Sequence, residues 1–297
     1  MTIILPENYH AQKALEANNI TCIHKEAALR QDIRPLRIGI MNVMPNVESY
    51  EFNLLYPMGK SILQIDPVWI KLDTHGYKSS SQKHMEDSYV SFEDAIYPNH
   101  LDGLILTGAP VEGLRFSDIK YWPEIERVLK YARKNISSTL GICWGAMALA
   151  HMLGIEKTIF ETKLFGVFRT KNLDRNHPIT GDLDDYFQCP QSRHAGYTDE
   201  NLEAARDRGE VRLLAHNADA GYTIMESTDD RYLMHLGHPE YNSGRLVEET
   251  LRDRAKGRTD VEDPANFNVE DPSNCWRSHR NEFFSQWIKY VYLQTAF

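Results

Sequence analysis

Four short apolar runs, spaced by helix-forming stretches, set narrow limits on how this chain can fold. Residues 36–44, 62–72, 101–106 and 138–142 each have the length and composition of a buried strand. Apolar residues at helical spacing (Ile125, Val128, Leu129, Ala132) mark a helix over 121–134, and a shorter helical segment covers 49–55. Strand and helix in this rhythm imply an α/β fold built on a doubly wound, mostly parallel sheet. Such sheets bind ligands beyond the C-terminal ends of their strands. The loops that close these runs are therefore where a site is expected.

The fourth run leads into Gly141-Ile142-Cys143-Trp144-Gly145, and a helix-forming stretch, 146–153, leads out. Small residues around a reactive side chain, between strand and helix, describe a nucleophile elbow. The helix N-terminus, with its dipole and unpaired N–H groups, favours an anionic sulfur there. A lone free cysteine is more commonly an inert core thiol, so the elbow needs support from elsewhere. That support lies almost a hundred residues downstream, where the buried-type run 232–237 ends in His238-Pro239-Glu240. In extended chain, residues i and i+2 face the same way. His238 and Glu240 can thus converge as base and orienting carboxylate for Cys143. Alone, a His-x-Glu at a strand end would read as a surface turn.

The chain has 297 residues, enough for one large domain with a full core. A formal net charge of −9 argues against general nucleic-acid binding, which needs a basic stripe. No apolar run reaches membrane-spanning length and the N-terminus lacks a signal-peptide layout. Cys22, Cys143, Cys189 and Cys275 form no paired motif, so neither a zinc site nor a disulfide framework is expected. The expectation is a cytoplasmic protein with free thiols and no metal or permanently bound cofactor.

Residues 1–34 read as an N-terminal arm with two short helical pieces, a candidate contact for a second subunit in a homodimer. Residues 35–297 read as one catalytic domain with a C-terminal helical extension. Within it, 73–87 looks like loop, 211–216, 221–226 and 232–236 like antiparallel strands, 243–256 like helix, and 258–274 like a long loop. Aromatic residues at helical spacing (Phe283, Trp287, Tyr290) mark a core-facing helix over 279–293. The Thr107-Gly108-Ala109-Pro110 loop would lie beside Cys143, at the end of its own strand.

These segments resemble known families in two ways. Gly-Ile-Cys-x-Gly with a later His-Pro-Glu resembles the class I glutamine amidotransferase fold, whose members hydrolyse glutamine. That family usually carries glutamine four residues after the cysteine, and here the position is Met147. A broader resemblance runs nearly end to end. It includes Arg30–Leu36, Thr107–Glu112, Tyr121-Trp122, Cys143-Trp144, Lys163–Phe168, Ser192-Arg193-His194, Gly237–Tyr241 and Trp276–His279. In all of these the chain is similar to the homoserine O-acyltransferases of methionine biosynthesis, which are built on the amidotransferase-like fold.

The resemblance implies ping-pong transfer of an acyl group from acyl-CoA through a thioester on Cys143. His238 would act as base and Glu240 would orient it. Backbone N–H groups at Trp144, Gly108 and Ala109 are candidates for the oxyanion hole. Lys163, Ser192 and Arg252 match positions that line the acceptor and acyl sites, Arg252 suiting a carboxylate. Glu112 resembles acetyl-CoA users, because its bulk and charge would oppose a succinyl group. Arg277 and Arg280 are the candidates for the CoA phosphates. The expected partners are small molecules: acetyl-CoA as co-substrate and an amino-acid acceptor.

Three regions depart from the family pattern. After Met44-Pro45, a Lys and a Thr-Glu-x-Gln run are usual, but this chain reads Asn46-Val47-Glu48-Ser49-Tyr50-Glu51-Phe52-Asn53. Before Ser192, Gln191 replaces a usual His, and Ser278–Phe284 departs from a Ser-His-Gly-Asn-Leu-Leu-Phe pattern. Changed surroundings with a retained triad point to acceptor choice. Homoserine is the first expectation and serine the alternative, since one methylene is worth only about 1–3 kcal/mol of discrimination. A glutamine-hydrolysing or binding subunit is the alternative of another class.

Overall fold

The computed structural model describes residues 2–295. The first half of the chain runs β1 (Thr2–Leu5), α1 (Gln12–Ala17), β2 (Thr21–His24), α2 (Lys25–Ala28), β3 (Leu36–Met41), α3 (Val47–Met58), β4 (Gln64–Ile70), α4 (Gln82–Ser88), β5 (Tyr89–Val90), α5 (Phe92–Ile96), β6 (Gly103–Leu106), α6 (Trp122–Asn135), β7 (Ser138–Ile142) and α7 (Trp144–Met152). The second half runs β8 (Thr158–Asn172), β9 (Tyr186–Gly196), α8 (Asp199–Asp207), β10 (Val211–Asn217), β11 (Gly221–Ser227), β12 (Tyr232–His235), α9 (Ser243–Ala255) and α10 (Arg277–Gln294).

All twelve strands join one sheet in the order β2-β1-β4-β3-β6-β7-β12-β11-β10-β8-β9, with β5 beside β4. From β2 to β12 every pairing is parallel. From β12 to β9 every pairing is antiparallel. Strand order reverses at β3, whose neighbours β4 and β6 both follow it in sequence. A crevice opens at such a switch point beyond the strand ends.

Side chains alternate between two apolar layers, one on each face of the sheet. Ile38, Ile40, Ile105, Leu140 and Leu233 point into a layer closed by α3 and α10. Leu104, Leu106, Tyr232 and Met234 point into the other, closed by α6 and α7. The C-terminal helix α10 is tied down by polar bonds as well as packing. Trp287 Nε1 donates to Ser138 Oγ at 3.1 Å, and Trp276 Nε1, just before the helix, to the Tyr241 carbonyl at 2.7 Å.

Three sequence expectations need correction. The N-terminal arm does not stand apart from the domain: β1 pairs with β4, and β2 with β1, so Thr2–Leu5 and Thr21–His24 build one edge of the main sheet. The 73–87 stretch is loop only in part, since α4 starts at Gln82 with Ser81 Oγ capping the His84 N–H. The β8–β9 hairpin was not foreseen. Its strands interleave charged and apolar residues without a clean period of two, and β9 contains Pro190. The polar loop after α9 packs along β8, where Ala265 N donates to Phe165 O and Val167 N to Ala265 O, both at 2.9 Å. That approach requires Gly166, at φ +141°, because a Cβ there would lie 2.2 Å from the Ala265 carbonyl oxygen.

Candidate functional site

The site is assembled where β3, β6, β7 and β12 end. Cys143 joins β7 to α7 with φ +51° and ψ −111°, a conformation non-glycine residues avoid. Neighbouring contacts hold it there. Its N–H donates to the His235 carbonyl at 2.8 Å, and its carbonyl accepts from Met147 N at 3.2 Å. Gly145 lets the first turn of α7 press on β6, since a Cβ there would meet the Leu106 carbonyl oxygen at 2.1 Å. Cys143 is 4% exposed, with its Sγ 3.9 Å from the Ser192 carbonyl oxygen.

His238 and Glu240 follow β12, and their side chains meet: His238 Nδ1 lies 2.7 Å from Glu240 Oε1. The imidazole stacks on Tyr241 at 4.1 Å between ring centroids, and the backbone N–H of His238 donates to the Pro190 carbonyl at 2.8 Å. Burial works against a proton on His238. The charges of Cys143 and Glu240, and hydrogen bonding to both, outweigh it and hold His238 well above the ordinary histidine range. Cys143, His238 and Glu240 thus bring a thiol, an imidazole and a carboxylate into one buried constellation. The loop after β6 lies over it. A Cβ on Gly108 would sit 3.6 Å from both Cys143 Cβ and His238 Cε1. Ala109 is buried beside it, and the Trp144 side chain is buried in the layer with Phe116 and Tyr121.

Lys163 on β8 and Ser192 on β9 are drawn together by a residue that sequence reasoning missed, Glu249 on α9. Ser192 Oγ donates to Glu249 Oε2 at 2.5 Å and Lys163 Nζ to the same oxygen at 3.2 Å. The Tyr241 hydroxyl donates to Glu249 Oε1 at 2.8 Å, while Lys163 also reaches Asp253 Oδ2 at 3.0 Å. Burial raises the Glu249 carboxyl, but Lys163, His238, Ser192 and Arg245 together bring it down to about 2. Arg252 lies on the same helix with its side chain 44% exposed. It donates to Asp253 Oδ1 at 2.8 Å and stands 4.0 Å from Glu249. A second overlooked residue is Tyr50 on α3, fully buried, whose hydroxyl donates to Glu240.

Glu112 follows the β6 loop, half-buried, and accepts from the His194 N–H at 3.3 Å, which places it beside β9 two residues past Ser192. Gln191 is wholly buried; its Oε1 accepts from Arg193 Nε at 2.9 Å. Arg280 does not offer an open phosphate site. It is buried against the Tyr56 ring and donates to the Tyr241 carbonyl at 3.3 Å, whereas Arg277 is exposed. Met147 is buried within α7.

The family model for homoserine O-succinyltransferase matches residues 2–297. A homoserine O-acetyltransferase from Petrotoga mobilis is 40% identical over 304 residues, spanning 100% of this chain and 97% of the relative. One from Ilyobacter polytropus is 38% identical, spanning 100% and 99%. Among solved structures, a glutamine amidotransferase from Thermotoga maritima superposes with a TM-score of 0.57 at 10% identity, covering 87% of this chain and 99% of that one. The glutaminase domain of the Trypanosoma brucei CTPS does so with a TM-score of 0.54 at 10% identity, covering 88% and 96%. At those identities the likeness shows the class I glutamine amidotransferase-like fold alone.

Proposed function

Because the chain belongs to the homoserine O-succinyltransferase family, we propose that it moves an acetyl group from acetyl-CoA to the side-chain hydroxyl of L-homoserine. The observation that carries this reading is the buried Cys143–His238–Glu240 constellation, joined through Ser192 to the Lys163–Glu249 cluster. In the first half-reaction His238 holds the proton taken from the Cys143 thiol, and the sulfur attacks the acetyl carbonyl carbon. The C–S bond to CoA breaks, and the departing thiolate takes the proton from His238. In the second, His238 removes the acceptor's hydroxyl proton, the oxygen attacks the thioester, and Cys143 leaves as thiolate. The N–H groups of Trp144, Gly108 and Ala109 are the proposed donors to the tetrahedral oxyanion.

Within this reading Lys163, Ser192 and Arg252 line the acceptor side, and the half-exposed Arg252 guanidinium receives the amino-acid carboxylate. Glu112, held beside His194, opposes a second carboxylate on the donor and so favours acetyl over succinyl. Both curated relatives described above are named as acetyltransferases. One observation favours serine as the acceptor instead. Tyr50, in the 46–53 segment that departs from the family pattern, is buried with its hydroxyl donating to Glu240, so the changed segment reaches the triad, and one methylene is a small difference for such a change to reverse.

Steady-state kinetics with each donor–acceptor pair tests the whole reading. Acetyl-CoA with homoserine should give the highest kcat/KM, and Cys143→Ala should retain under about a thousandth of it. Intact-mass measurement with acetyl-CoA alone should show one acetyl group on the wild-type chain and none on Cys143→Ala. A higher kcat/KM with succinyl-CoA overturns the donor, and a higher one with serine the acceptor. Full transfer by Cys143→Ala overturns the covalent mechanism.

A further inference from the structure

We propose that His10, Glu51 and His84 form a binding site for a divalent transition-metal ion of the zinc class, separate from the Cys143 centre. The three side chains come from different parts of the fold: the segment before α1, the middle of α3 and the first turn of α4. His10 Nε2 lies 2.7 Å from Glu51 Oε2, and His84 Nε2 lies 2.7 Å from Glu51 Oε1. One ligand atom from each falls within 4.8 Å of the others. Two imidazoles and a carboxylate, with room left for water, are a donor set that zinc and its neighbours take.

The surroundings match what such a site needs beyond its ligands. The hydroxyls of Tyr9 and Tyr89 both donate to the Glu51 carboxylate, orienting it from behind. His84 Nδ1 is 3.5 Å from Ser88 Oγ one turn along, so a proton on Nδ1 has a partner and Nε2 is left to ligate. Exposure is graded across the cluster: the Glu51 side chain is 0% exposed, that of His84 15% and that of His10 38%. The buried carboxylate anchors the ion, and the His10 side admits it with a water. Ligand atoms around a tetrahedral zinc at about 2.0–2.1 Å stand roughly 3.3 Å apart. The imidazoles therefore need to withdraw from the carboxylate by less than about 1 Å, which the exposed His10 can do. Bound there, the ion would clamp the N-terminal segment and α4 onto α3, next to Tyr50 and its bond to Glu240.

The test uses the full-length protein, stripped with a chelator and titrated with Co2+ by visible absorption and with Zn2+ by calorimetry. One ion per chain is expected, with the d–d bands of a nitrogen–oxygen set and no thiolate charge-transfer band. His10→Ala and His84→Ala should each weaken binding at least tenfold. X-ray absorption on the zinc-loaded wild type, which needs no variant, should show two imidazoles and no sulfur. Absence of stoichiometric binding overturns the proposal and leaves a purely hydrogen-bonded clasp. So does binding unchanged in both variants, sulfur in the coordination shell, or binding lost on Cys143→Ala.

Discussion

Around Cys143, His238 and Glu240 the proton balance is set residue by residue. His238 is held above the ordinary histidine range despite burial because Cys143 and Glu240 face it, and in the proposed mechanism such a group donates to the departing thiolate before it acts as base. Glu249 works on the other side of the site, where one carboxylate collects Lys163, Ser192 and Tyr241. Its folded-state value of about 2 lies below the ordinary 4.5. A depressed carboxyl contributes stability that is fully present above about 4.5 and is lost as pH falls towards 2, on the order of 3 kcal/mol in all. Urea unfolding across that window should therefore show a decline that Glu249→Gln flattens. An equal decline in the variant would mean that Glu249 is not held as an anion. Glu249 escaped sequence reasoning because acidic residues on a helix are usually solvated. The signal available was the i, i+4 pair Glu249 and Asp253 beside Arg252, one carboxylate too many for an ordinary exposed face.

At the scale of elements, the elbow depends on how closely α7 approaches β6. Gly145 has no room for a side chain, and the atom in the way is backbone, which cannot swing aside. Gly145→Ala should lower stability by about 1–3 kcal/mol, the usual cost of overpacking. It should also reduce acyl-enzyme formation more than proportionately, because Cys143 would lose its positive-φ geometry. Thermal melts with intact-mass assays measure both, and an unchanged Tm would show that the helix shifts freely. The strand–turn–helix reading at 138–153 was legible because glycine spacing and local apolar period specify it within a few residues. The β8–β9 hairpin was not, because its partners are the Pro-broken loop, β10 and the site itself. Such a strand takes its residues from contacts on several sides and shows no simple period. The three residues proposed to hold a metal ion also show no motif, being 41 and 33 positions apart in their pairings with Glu51.

Across the whole molecule, the parallel half of the sheet leads into Cys143, His238 and Glu240, and the antiparallel half brings Lys163 and Ser192 to them. His235, at the end of β12, is locked between the two halves. Burial, with the His238 charge adding to it, drops it to about 3. The folded protein refuses this proton down to about pH 3, while the unfolded chain accepts it near 6.5. Stability should therefore fall as pH drops from 6.5 to 3, by on the order of 5 kcal/mol from this residue. His235→Asn, which can still accept from the Gly237 N–H, should make the acid limb of a stability profile shallower. An unchanged limb would place the acid sensitivity elsewhere.

The sequence by itself determined the parallel sheet, the elbow at Cys143 and the pairing of His238 with Glu240. Each follows from period, glycine placement or spacing over a few residues, where covalent geometry leaves little choice. The tertiary structure decided that β1 and β2 belong to the sheet, that Arg280 is buried, and that Glu249 and Tyr50 stand in contact with the site. Those outcomes depend on which segments, far apart in the chain, meet when two apolar layers close. Burial and charge at a meeting point arise only from that closure, so no local pattern records them.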